Sequence, residues 1–66
     1  MAVQIFRLER NGQLEQRTYA NANGPCEEWE KDPAHCKVAQ VDVEDHILRY
    51  LDAAECRQIA SRITGY

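Results

Sequence analysis

The residues of this chain best suited to chemistry are its three cysteines and two histidines. Four of these five fall ten positions apart: Cys26, Cys36, His46 and Cys56, with His35 beside Cys36. Three thiolates and one imidazole make a legitimate tetrahedral zinc set, and a structural zinc would stabilise a chain with little room for a core. The spacing argues the other way. Structural zinc sites draw ligands in close pairs from tight turns, and the sequence has no Cys-x-x-Cys. Cys56 also shares an apolar stripe with Ile59 and Ile63, where a thiol serves as a small buried hydrophobe. The expected cofactor is therefore none. Zinc held by Cys26, Cys36, Cys56 and His46 or His35 is the alternative. A disulfide between Cys26 and Cys36 is a further option, closing a short loop around Trp29.

Neighbouring His35 and Cys36 do not make a base and a nucleophile, because thiolate–imidazole pairs are assembled from distant segments. There is no phosphate-cradling glycine-rich loop and no cofactor motif. No catalytic residue is assigned, and the chain is not expected to be an enzyme.

Residues 21–36 concentrate the costly side chains: the only Trp, both Pro, two of the three Cys and one of the two His. A segment like this between two ordinary scaffolds is where function is expected. Trp29 has two available roles. It folds back as a lid over the apolar face of the N-terminal segment, or it stands out as an anchor in an acidic rim of Glu27, Glu28, Glu30 and Asp32, suited to a pocket on a basic protein. The second role makes Trp29 and these four acids the candidate partner-binding set, with Tyr50 and Tyr66 extending the surface.

The charge distribution supports that choice. Residues 22–56 carry nine acids against Lys31, Lys37 and Arg49, while the segments on either side are weakly basic. An acidic middle repels phosphate backbones, so direct nucleic-acid binding is not expected. Arg57 and Arg62 are too few for a recognition helix. The expected activity is a non-enzymatic protein-interaction module, acting as adaptor, regulator or inhibitor. An acidic nucleic-acid mimic is a second alternative beside the zinc-stabilised mini-domain. No apolar run is long enough to span a bilayer, so no membrane partner is expected. The N-terminus lacks the apolar stretch of a signal peptide, and a cytoplasmic location is expected.

Sixty-six residues make one domain, α+β in class. Residues 2–20 read as a β-hairpin with its turn at Asn11-Gly12. A three-residue loop, 10–12, pairs Leu8 with Leu14 and Arg7 with Glu15. It sorts the faces better than a two-residue turn, which sets Leu8 against Glu15 and Phe6 against Arg17. Residues 21–36 are expected as an irregular loop holding at most a short helix opened by Pro25. Residues 37–43 alternate as a third strand with Ala39, Val41 and Val43 on one side. Helices are expected over 44–51 and 53–64, separated by an Asp52/Glu55 capping pair. Residues 46–51 suit a fourth strand as an alternative. The expected core is Ala2, Phe6, Leu8, Leu14, Val41, Ile47, Leu51, Ile59 and Ile63. Val3, Ile5 and Tyr19 leave an apolar end on the other hairpin face, which is compatible with a homodimer.

Overall fold

The computed structural model describes residues 4–64, without the side chains of 63 and 64. Ala2, Val3 and Tyr66, and the side chain of Ile63, named above, lie outside what is described. The fold is α+β. In chain order it runs β1 (Ile5–Arg10), β2 (Gln13–Leu14), α1 (Asn23–Lys31), β3 (Cys36–Val41), β4 (Ile47–Tyr50) and α2 (Ala53–Thr64). The four strands form one antiparallel sheet in the order β2-β1-β3-β4.

Strand alternation splits the sheet into two unlike faces. Phe6 and Leu8 of β1 and Cys36 and Val38 of β3 point toward the helices. There they form one buried cluster with Cys26 and Trp29 of α1, Leu51, and Cys56 of α2. Ile59 packs against this cluster half-buried. On the opposite face Ala39 and Val41 are 0% and 1% exposed. Ala39 lies between Arg7 and Tyr50 in the register, and Val41 between Ile5 and Ile47. Long side chains tie this face together. The Tyr50 hydroxyl donates to Glu9 (2.9 Å), the Lys37 ammonium stands over the Tyr50 ring (5.5 Å), and Arg7 reaches Asp45 (3.3 Å). Their alkyl and aromatic parts cover apolar surface while their charged tips reach water.

The hairpin differs from the expected register. Arg10 pairs with Gln13 across a two-residue turn, with Asn11 at φ 54° and Gly12 at φ 81°. Left-handed conformation at both central positions is the type I′ turn that Asn-Gly favours. The mismatch this register was expected to cause is avoided by ending β2 after Leu14. Residues 16–18 leave the ladder, so Tyr19 rather than Arg17 faces Phe6, through two backbone hydrogen bonds of 2.8 and 2.9 Å. Glu15 is anchored locally: Arg7 Nε donates to its carbonyl (2.8 Å) and Arg10 Nε to its carboxylate (3.1 Å). Leu14 therefore shares the helix-free face with Glu9 and is only half-buried.

Residues 44–51 are a turn and a strand, not the expected helix. The Asp42 carboxylate accepts the backbone N–H of Glu44 (2.8 Å) and of His46 (2.9 Å), and its second oxygen meets the His46 ring (3.1 Å). With Asp45 left-handed at φ 66°, the chain reverses and β4 returns beside β3. The free edge of β3 outweighs the helical propensity of so short a segment, because isolated short helices are marginal. The expected core residue Ile47 is consequently exposed, and so is Val43, which lies beyond β3 in the turn. The restart at α2 follows its capping signal: Glu55 N–H donates to Asp52 Oδ1 (2.8 Å). The Glu55 carboxylate interacts in return with the Asp52 backbone N–H and also takes a bidentate pair of bonds from Arg49 (2.9 and 3.0 Å).

The Asp42 turn gives a prediction. N–H donation from His46 and Glu44 holds the Asp42 carboxyl below the usual range. A group depressed in the folded state stabilises fully above its unfolded value, near pH 3.9, and that contribution is lost as pH falls through the lower folded value. The amide resonances of Glu44 and His46 should therefore titrate together below about pH 3.9. Independent titration of the two amides, or a midpoint at or above that value, would contradict the turn as described.

Candidate functional site

The four acids and the indole singled out above do not gather into one raised crest. Trp29 is 6% exposed and belongs to the buried cluster between α1 and the sheet. The lid is therefore its role, and the protruding anchor is corrected. The cause is periodicity. Residues 23–31 form a full helix rather than an irregular loop, which puts Pro25, Cys26 and Trp29 on its buried side. Glu27 and Glu30 fall on the exposed side. Glu28 reaches Lys31 (3.5 Å) and Arg10 (4.0 Å), and Asp32 meets the His35 ring (2.9 Å).

The cysteines and histidines are also separated. Cys26 on α1 and Cys56 on α2 both lie in the buried cluster, on two helices that pack together. Both are fully buried, and burial pushes the Cys26 thiol up to about 12 and raises Cys56 as well. Cys36 lies on β3 near Arg10; burial raises its thiol, and the guanidinium acts weakly against that. All three are free thiols, so the Cys26–Cys36 bridge is not formed. His46 is held in the β3–β4 turn by Asp42. Among the described residues no group of three or more Cys, His, Asp or Glu is placed to hold a metal ion. His35 turns its ring to Asp32 (2.9 Å).

A cleft of about 560 Å³ opens at the hairpin end of the sheet, bounded by Gly12, Trp29, Pro33, Lys37, Tyr50 and Leu51. Its polar rim is already engaged internally, through the Tyr50–Glu9 hydrogen bond and the Lys37–Tyr50 contact.

The more distinctive surface is β4. It is an edge strand, and all four of its residues are exposed. The large exposed apolar side chains of the described chain are Val43 (74%), Ile47 (42%), Leu48 (59%) and Tyr50 (43%). All lie on β4 or in the turn that leads into it. An irregularity in the β3–β4 register between Gln40 and Val41 sets Leu48 outside the regular pairing. Reading the segment as a helix hid this surface; the run Ile47-Leu48-Arg49-Tyr50 with an acidic turn before it was the available signal. Set against protein families, curated proteins and solved structures, the chain matches none. No described helix is long and apolar enough to cross a membrane.

Proposed function

We propose that this chain is a non-catalytic protein-interaction module that binds an extended segment of another protein along β4. The observation that carries this reading is the concentration of exposed apolar side chains on an unpaired sheet edge. An edge strand offers a row of backbone donors and acceptors to an incoming strand, and its alternate side chains give selectivity. Natural edges are blunted by Lys, Pro or short length. Here shortness and the irregularity at Leu48 apply, while Arg49, the one cation of β4, is turned back onto Gln40 and Glu55. The partner's segment would present apolar residues to Ile47 and Tyr50 and a basic residue to exposed Glu44. This keeps the expectation of a basic protein partner and moves the contact from the Trp29 helix to the β4 edge of the sheet.

A photo-crosslinking residue at position 48, in an extract of the native host, should label a discrete protein. The same group at Glu30 on α1 should not. Ile47→Lys together with Tyr50→Lys should reduce the labelling at least about tenfold. Circular dichroism should show the fold retained at a lower melting midpoint, because Ile47 and Tyr50 are only 42% and 43% exposed and Tyr50 bonds Glu9. Equal labelling from both positions would sink the reading, and so would labelling that survives the double substitution. A crosslink only to a second copy of this chain would replace the foreign partner by self-association.

A further inference from the structure

The cleft at the hairpin end of the sheet exists because β3 outruns its neighbour. β3 spans six residues and β4 four. Tyr50 is paired with Ala39, and Leu51 N–H still donates to the Val38 carbonyl (2.9 Å). Beyond that point the chain leaves for α2, and β4 gives Cys36 and Lys37 no partner. The gap is about 560 Å³, inside the range of about 300–1,000 Å³ that small-molecule sites occupy. Trp29 and Leu51, nearly buried, form an apolar floor with exposed Pro33. The rim carries an acid and an amine side by side: Glu9 and Lys37 are partners in the β1–β3 register. They do not pair with each other, because Tyr50 engages both. Its hydroxyl donates to Glu9 Oε1 (2.9 Å), and its ring lies under the Lys37 ammonium (5.5 Å). Each charge is therefore only partly used. Among the described residues, the Lys37 ammonium has no oxygen partner and Glu9 Oε2 has no donor. His35, also on the rim, is turned to Asp32.

We propose that this cleft is a binding site for a zwitterionic α-amino acid with an aromatic side chain. The ligand's carboxylate meets the Lys37 ammonium, its ammonium meets Glu9 Oε2, and its ring lies on the floor of Trp29, Pro33 and Leu51. Opposite charges on neighbouring strands select a ligand that carries both signs close together. A purely anionic ligand meets Glu9 as a like charge, and a purely cationic one meets Lys37. Charge-assisted hydrogen bonds of this kind are the stronger ones.

The ring is the part of the ligand that the floor recognises. An aromatic side chain brings a large apolar area with a specific stacking geometry, which suits an indole and a proline. Tyr50 holds the Glu9 carboxylate in place before the ligand arrives, which lowers the ordering cost of binding. The strand surface proposed for β4 is separate. Ile47 and Leu48 do not line the cleft, and Tyr50 is the residue of β4 that belongs to both.

The test is titration of the full chain with L-phenylalanine, followed by the fluorescence of Trp29, the only tryptophan, and by backbone amide shifts. The expected result is saturation with a Kd of about 1 mM or tighter, with shifts at Glu9, Lys37 and Leu51. Phenylpropionate lacks the ammonium and phenethylamine lacks the carboxylate. Each should bind about tenfold more weakly or worse. Glu9→Gln keeps an acceptor for the Tyr50 hydroxyl and should remove the preference for phenylalanine over phenylpropionate. Lys37→Gln should remove the preference over phenethylamine. No saturable response, or shifts centred away from the cleft, would overturn the site. Equal binding of the three compounds would overturn the charge pairing, and so would preferences that survive both substitutions. L-Leucine binding as tightly as L-phenylalanine would overturn the aromatic assignment.

Discussion

Trp29→Ala should destabilise this protein by about 3–5 kcal/mol, the range for removing a large aromatic from a packed core. The whole stability of an ordinary domain is about 5–15 kcal/mol, and a short chain falls toward the low end. The substitution should therefore leave the chain largely unfolded at room temperature. Trp29 lies in the buried cluster with Phe6, Leu8, Cys26, Cys36, Val38, Leu51 and Cys56, and Arg57 covers its ring from α2. Truncation opens a cavity that touches the sheet and both helices at once. Trp29→Phe keeps an aromatic in the site and should retain the fold at a smaller cost. Far-ultraviolet circular dichroism against urea measures both. A Trp29→Ala midpoint equal to wild type would show that the indole is dispensable, and the anchor role would return.

The features of this fold that local sequence encodes were legible. Asn11-Gly12 marks the turn, alternation in 38–41 marks β3, and Asp52 with Glu55 marks the start of α2. What sequence patterning left open depended on distant partners. The two hairpin registers differ by one residue. The choice between them rests on letting 16–18 bulge so that Tyr19 meets Phe6, which no local pattern records. Ile47 to Leu51 fits helical and strand periods equally, and the free edge of β3, a property of the assembled sheet, selects the strand.

The site was legible only in its ingredients. Trp29 and its acids form a conspicuous run in one dimension, yet a helical turn sends Trp29 inward and Glu27 and Glu30 outward. The cysteines appear evenly spaced, but Cys26 and Cys56 fall on two helices that pack together and Cys36 falls on the sheet. The exposed β4 edge emerges only once 44–51 is a turn and a strand.

Gly24→Ala should destabilise the protein by about 1–2 kcal/mol, against the sign that helix propensity alone gives. Alanine is favoured over glycine within a helix by up to about 1 kcal/mol. The opposing effect is steric. A Cβ on Gly24 would come 2.5 Å from Cδ1 and 2.6 Å from Cε1 of Tyr19, well inside van der Waals contact. The Tyr19 ring cannot simply swing away. The ring packs against the core cluster and Arg17 stacks on it at 4.8 Å, so displacing it gives up both contacts. Overpacking of this kind costs about 1–3 kcal/mol, so the clash outweighs the propensity. The same substitution in a Tyr19→Ala background meets open space, and its effect should reverse to a stabilisation of a few tenths of a kcal/mol up to about 1 kcal/mol. Urea midpoints of the four chains close a double-mutant cycle with a coupling of about 2 kcal/mol. A Gly24→Ala chain more stable than wild type would show that Tyr19 does not lie on the first turn of α1. The bulge at 16–18 that delivers Tyr19 there would then be wrong as well.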